Sequence, residues 1–230
     1  MSYQRVNLTF VLMLLVVFLG CAAPPQKEIN LISENISSSS GKVGIITTPI
    51  PKAIMTFPGA ECLLCYGVAM ASHSSFRNYA ETLEIRDLKD FNHALVSRLN
   101  SKGIVAINLG NTLDLKALEM NKDQKEGYSK IDFRKFQQED ITSLIVVNYK
   151  ELGFKRGYMN YIPTETPQAN MVAEAYMVRL GDNKLIWYTL IKINRGVVGE
   201  WDVPPKYSEL TSAYYSAIEE FKGKIKDAFN

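Results

Sequence analysis

Residues 170–195 read NMVAEAYMVRL-GDNK-LIWYTLIKINR, two apolar runs separated by Gly181-Asp182-Asn183-Lys184. Those four residue types favour a tight reversal, so the stretch is read as an antiparallel β-hairpin with arms at 170–180 and 185–195. In the second arm Leu185, Trp187, Thr189, Ile191 and Ile193 alternate with Ile186, Tyr188, Leu190, Lys192 and Asn194. Both sets are largely apolar, and a strand of that kind needs cover on both faces of its sheet.

The strongest helical pattern follows it. Tyr207, Leu210, Tyr214, Ala217, Ile218, Phe221, Ile225 and Phe229 form one apolar stripe, and Glu209, Glu219, Glu220, Lys222, Lys224 and Lys226 fill the opposite side. Upstream, Val43-Gly44-Ile45-Ile46 suits a first strand, and a helix is expected within residues 60–80, where Leu63, Leu64, Val68, Ala69 and Ala71 fit a buried helix or a strand. A second helix is expected from Asp87, as cap, through Leu88, Phe91, Leu95 and Leu99 to Gly103. Ile104–Ile107 and Asp140–Val147 read as strands, the second apolar enough to be central. This order predicts an α/β fold, with α+β as the neighbouring class: a mixed β-sheet with an antiparallel hairpin, helices packed on it, and a C-terminal amphipathic helix.

The N-terminal end has a different character. Arg5 precedes an apolar run from Leu8 to Leu19, closed by Phe18-Leu19-Gly20-Cys21. A charged start, a short apolar core and a small residue at the boundary make a secretory signal, and the run is shorter than the roughly 20 residues a membrane-spanning helix needs. The boundary resembles the lipobox of bacterial lipoproteins, with Gly20 and Cys21 matching and Phe18 standing where leucine is usual. That resemblance implies cleavage before Cys21 and acylation of its sulfur. Ala22, where aspartate would hold such a protein at the inner membrane, implies the periplasmic face of the outer membrane.

The organisation expected is a signal peptide at 1–20, a lipidated flexible tether at 21–42 and a single globular periplasmic domain at 43–230. Pro24-Pro25 and the serine-glycine run from Ser37 to Gly41 give the tether its composition. Without residues 1–20 the chain keeps 25 basic and 24 acidic side chains. That balance lacks the basic excess of a nucleic-acid binder, and none is expected as partner.

Cys62-Leu63-Leu64-Cys65 is the sharpest chemical candidate. At the start of a helix such a pair can act in thiol redox chemistry. The two leucines instead suggest buried structural cysteines, with a disulfide between Cys62 and Cys65 as one outcome. Zinc held by Cys62, Cys65, His73 and His93 has the right ligand types, but the spacings match no known module. Ser72-His73-Ser74 is merely contiguous, and no hydrolytic motif or phosphate loop is present. The reading therefore expects no catalytic residue, no resident metal and no cofactor. Tyr149, Arg156, Tyr158, Tyr161 and Trp201 are the aromatic and cationic residues expected to form a partner surface.

The order of elements, the lipobox and the serine-proline tether together are similar to the periplasmic α/β domain of the TolB N-terminal part, the curli-secretion lipoprotein and the lipoprotein activators of penicillin-binding proteins. The resemblance implies a non-enzymatic interaction module in cell-envelope assembly, tethered to the membrane by its lipid and bound to a protein partner. A periplasmic thiol-redox or metal-dependent enzyme centred on Cys62 and Cys65 is the alternative.

Overall fold

The computed structural model describes residues 25–32, 41–123, 125–138 and 140–230. Cys21, the stretch read as a signal peptide and most of the serine run lie outside the described residues. The elements are strands β1 (Lys42–Thr47) and β2 (Ile54–Thr56), helices α1 (Leu63–Ser72), α2 (Ser74–Ala80), α3 (Arg86–Lys89) and α4 (Phe91–Ser101), then β3 (Ala106–Thr112), β4 (Ile141–Lys155), β5 (Tyr158–Met159), β6 (Ile162–Pro163), β7 (Gln168–Arg179), β8 (Lys184–Arg195) and helix α5 (Ser208–Asp227).

The main sheet has the order β3-β1-β4-β7-β8, with β2 on β4 beyond the end of β1. β1 runs parallel to β3 and β4, whereas β7 is antiparallel to both β4 and β8. The mixed sheet, the hairpin and the terminal helix are those the sequence predicts. The 140–147 strand is longer, running to Lys155, and the 104–107 strand starts later, at Ala106. Asp87 does not cap a continuous helix: it lies inside the short α3, and the chain breaks at Asp90 before α4.

One face of the sheet is covered by the helices. Met171, Ala173, Ala175 and Met177 of β7 point to that face, where the small alanines leave room for Tyr214 and Phe221 of α5. The other face holds a second apolar cluster of Leu144, Val146, Tyr176, Val178, Leu185 and Tyr188, roofed by Leu113, Phe133 and neighbours from the 113–136 segment. Asn183 ties that roof to the hairpin turn. With φ +64° it takes the left-handed conformation the reversal needs; its side chain accepts from the Phe133 N–H at 3.1 Å and donates to the Ile131 carbonyl at 2.7 Å.

The alternation expected in β8 is broken by a bulge opposite Met177 and Val178. Ile186 consequently joins Trp187 on the helix face, and Leu185 falls on the roofed face, away from Trp187, with which it was expected to align. An inserted residue reverses the side-chain faces beyond it, and periodicity alone cannot place that insertion.

Within the segment read as tether, Ile29 is seated on the sheet. Its N–H and carbonyl both bond to Tyr188 at 3.0 Å, antiparallel to the open edge of β8. Two such bonds stabilise by about 1–2 kcal/mol net. A chain beginning at Gly41 is therefore expected to unfold at slightly lower urea than one beginning at Pro25, with faster amide exchange at Tyr188. Identical midpoints and exchange would show that the segment merely rests on the edge.

Candidate functional site

Three connections meet where β2, β4 and β8 end. After β2, Phe57-Pro58-Gly59 turns the chain into α1. Gly59 has φ +87°, and a Cβ there would sit 1.9 Å from the Tyr158 carbonyl oxygen. Only glycine lets the small β5–β6 hairpin lie on this turn, where the Tyr158 N–H donates to the Pro58 carbonyl at 2.8 Å and the Asn160 N–H to the Gly59 carbonyl at 3.1 Å.

Cys62 and Cys65 are joined by a disulfide at the first turn of α1. The Cys62 sulfur accepts from the Cys65 N–H at 2.8 Å, satisfying one of the free donors of the helix start. The Tyr161 hydroxyl donates to the same sulfur across 3.7 Å. Expected burial of the whole motif does not occur. Cys65 is buried with Ala69, but Cys62 is exposed, and Leu63 and Leu64 are 91% and 67% exposed. Helical spacing explains it: positions 65 and 69 share the inward face, so residues 63 and 64 cannot.

His73 sits at the junction of α1 and α2, stacked on Phe57 at 5.5 Å and beside Trp201 at 5.7 Å. Its Nε2 lies 2.9 Å from the Tyr158 hydroxyl and 3.1 Å from Arg156 Nη1. A guanidinium can only donate, so Nε2 accepts and the ring is neutral. Burial, reinforced by the Arg156 charge, holds the His73 pKa below its ordinary value of 6.5, with Asp202 pulling weakly the other way. Arg156 also lies 5.0 Å over the Trp201 ring, and its Nε donates to the Glu165 carbonyl at 2.9 Å.

Of the five residues expected to form a partner surface, Arg156, Tyr158, Tyr161 and Trp201 do come together here. Tyr149 does not. It is buried on the helix face, 5.6 Å from Phe221, in the same alternating set as Ile145 and Val147. Burial drives the pKa of its phenol upward. A bulge after Tyr149 then shifts the register, so that Leu152 and Phe154 take the inward positions. The four zinc candidates do not assemble either: the cysteines bond to each other, His73 is held by Arg156 and Tyr158, and His93 faces Asn108 at 3.3 Å. Sequence reading missed His73 as the centre of the cluster, because its partners lie 83, 85 and 128 residues away and no local pattern links them.

No protein-family model matches the chain, and no curated protein sequence does. Solved structures give low-scoring likenesses. Protein XCC0632 from Xanthomonas campestris is similar over 88% of this chain and 90% of its own, at 8% identity and TM-score 0.41. Lipoprotein GNA1162 from Neisseria meningitidis is similar over 77% of this chain and 99% of its own, at 14% identity and TM-score 0.27. The PelC dodecamer from Paraburkholderia phytofirmans is similar over 86% of this chain and 95% of its own, at 10% identity and TM-score 0.30. At these scores no residue role passes from them to this chain.

In chemical terms the cluster offers aromatic faces, one cation and a neutral histidine whose Nε2 is already occupied. Its histidine has a measurable consequence. A buried neutral imidazole binds fewer protons folded than unfolded, so its contribution to stability is complete above 6.5 and is lost as pH falls from there through the lower folded pKa. Melting temperature is expected to drop over that window, and His73→Gln should remove this component of the drop. An unchanged acid profile in the variant would place the sensitivity elsewhere.

Proposed function

We propose that the chain is an outer-membrane lipoprotein, anchored through Cys21 on the periplasmic face, whose domain works by binding an envelope component and not by catalysis. The observation that carries this reading is the meeting of Trp201 with Arg156, Tyr158 and Tyr161 of the β4–β7 connection, around His73 and beside Cys62, at one end of the sheet. Rigid aromatic side chains with a cation over one of them are the composition of binding hot spots. The resemblance of the element order and lipobox to TolB, the curli-secretion lipoprotein and the activators of penicillin-binding proteins supports a role in envelope assembly. Two measurements test it. Cys21→Ser should remain an uncleaved precursor and take up no fatty-acid analogue; normal labelling would defeat the anchor. Trp201→Ala with Arg156→Ala should lose the cellular phenotype while the domain remains folded, and retained function would move the binding surface elsewhere.

A second reading rests on the placement of Cys62. It is exposed at a helix N-terminus, its sulfur accepts an N–H, and Cys65 behind it is buried. After reduction those features would stabilise a Cys62 thiolate, the form that attacks disulfides. Cys62→Ser with Cys65→Ser separates the readings: a binding module keeps its function if the fold survives, and a thiol oxidoreductase loses it. No cofactor is invoked by either.

A further inference from the structure

Beyond the cluster, the same end of the molecule carries bare apolar side chains. Leu63 and Leu64 project from the first turn of α1, Met159 and Ile162 from the β5–β6 hairpin, and Val198 from the segment after β8. Strand register places these three connections together: Thr56 lies beside Lys155, Lys155 beside Gln168, and Ala169 beside Arg195. A group of large exposed apolar residues concentrated on one end marks a contact surface, whereas isolated ones do not.

The direction of the N-terminal segment indicates what meets that surface. Because Ile29 pairs antiparallel with Tyr188, the residues before it run toward Arg195, the end bearing Leu63 and Met159. A bond from the Thr189 hydroxyl to the Glu28 carboxylate, 3.4 Å long, agrees with that direction. Tyr188 to Arg195 spans seven residues, about 23 Å of strand. From Ile29 back to Cys21 is eight residues, at most about 28 Å fully extended. Cys21 can therefore reach the level of the strand ends and scarcely pass it. The three strand spacings between β8 and β2, about 14 Å, lie across the sheet and need no tether.

We propose that this end of the domain rests on the lipid bilayer, with Leu63, Leu64, Met159 and Ile162 entering the boundary between headgroups and acyl chains. The proposal rests on the lipid anchor at Cys21 and names the bilayer itself as the envelope component that meets this end. Tyr66, Tyr161 and Trp201 lie around the patch, the amphipathic residue types that favour the headgroup layer. Acidic Glu61, Glu165, Glu200 and Asp202 stand among basic Arg156 and Lys206 in the same connections and Lys155 and Arg195 at the strand ends beside them, so the charges balance and the contact is apolar in character and insensitive to salt.

Photo-crosslinking in membranes of cells carrying the full chain tests this. A benzophenone amino acid is placed singly at Leu64, at Met159 and, as controls, at Val105 and Met120. The controls are of similar exposure, Val105 at 56% against 61% for Met159, but lie toward the opposite end of the sheet. Phospholipid labelled with radioactive phosphate reports the adduct, because the acyl chains on Cys21 carry no phosphate. The expected result is labelled adduct at positions 64 and 159, unchanged by high salt, and background at 105 and 120. Adducts to a protein from 64 and 159, including a second copy of this chain, would overturn the proposal, as would equal lipid adduct at all four sites. Fatty-acid labelling of the same variants reports the anchor separately. Acylated protein without adducts leaves the anchor standing and the proposal refuted; adducts without acylation do the reverse.

Discussion

Replacing Phe221 and Ile225 together by alanine is expected to leave no cooperatively folded domain. Both side chains are completely buried on the inner face of α5. Phe221 lies 5.8 Å from the Phe91 ring of α4 and 5.6 Å from the Tyr149 ring of β4, so it joins two helices to the central strand. Truncating a large apolar side chain in a core typically costs about 2–5 kcal/mol. Whole domains are stable by only about 5–15 kcal/mol, so two such losses approach the total. Soluble yield and the urea transition measure it. A double variant with the parent's midpoint would mean that α5 is not a structural helix, and the account of the helix-covered face would fail with it.

The stripe on α5 was legible because helix and stripe share one period over twenty residues, and no insertion interrupts it. The strands were legible as strands for the same reason, but their faces were not. In β8 one extra residue near Ile186 sends Leu185 to the roofed side, and in β4 the bulge after Tyr149 exchanges odd for even inward positions. Tyr149 could have been placed correctly from its step of two from Val147 and Ile145; its neighbours Lys150 and Arg156 gave it a polar context that the register overrides. At the site, residue types were readable and assembly was not. Arg156, Tyr158, Tyr161 and Trp201 advertise themselves as an amphipathic group, whereas His73 is recognisable as their centre only once β2, β4 and β8 end side by side. Apolar residue type alone favours a buried Leu63–Leu64 pair, but one helical turn with Cys65 and Ala69 inward sends both leucines to the surface.

Gly153→Ala is expected to detach β2 and dismantle the site while leaving most of the sheet intact. Gly153 has φ +132°, and a Cβ there would fall 2.1 Å from the Ile54 carbonyl oxygen and 2.5 Å from its nitrogen. Those are backbone atoms of the strand paired with it, so no side-chain rotation relieves the clash. Holding a non-glycine residue in such a conformation costs on the order of 1–3 kcal/mol, and the lost pairing of Ile54, Met55 and Thr56 adds to it. β2 carries Met55 into the core and holds Phe57, the residue that follows it, there as well, and Phe57 is the ring on which His73 stacks. Amide exchange should therefore accelerate at Met55 and at Arg156, whose N–H bonds to the Thr56 carbonyl at 3.0 Å, while β7 and β8 stay protected. Gly67→Ala makes the contrast. It lies inside α1 with nothing within 4 Å of the added carbon, and there the same chemical change should stabilise by about 0.5–1 kcal/mol. Parent-like exchange at Met55 in Gly153→Ala would show that β2 does not depend on the close approach at Gly153, and the positioning of His73 would need another cause.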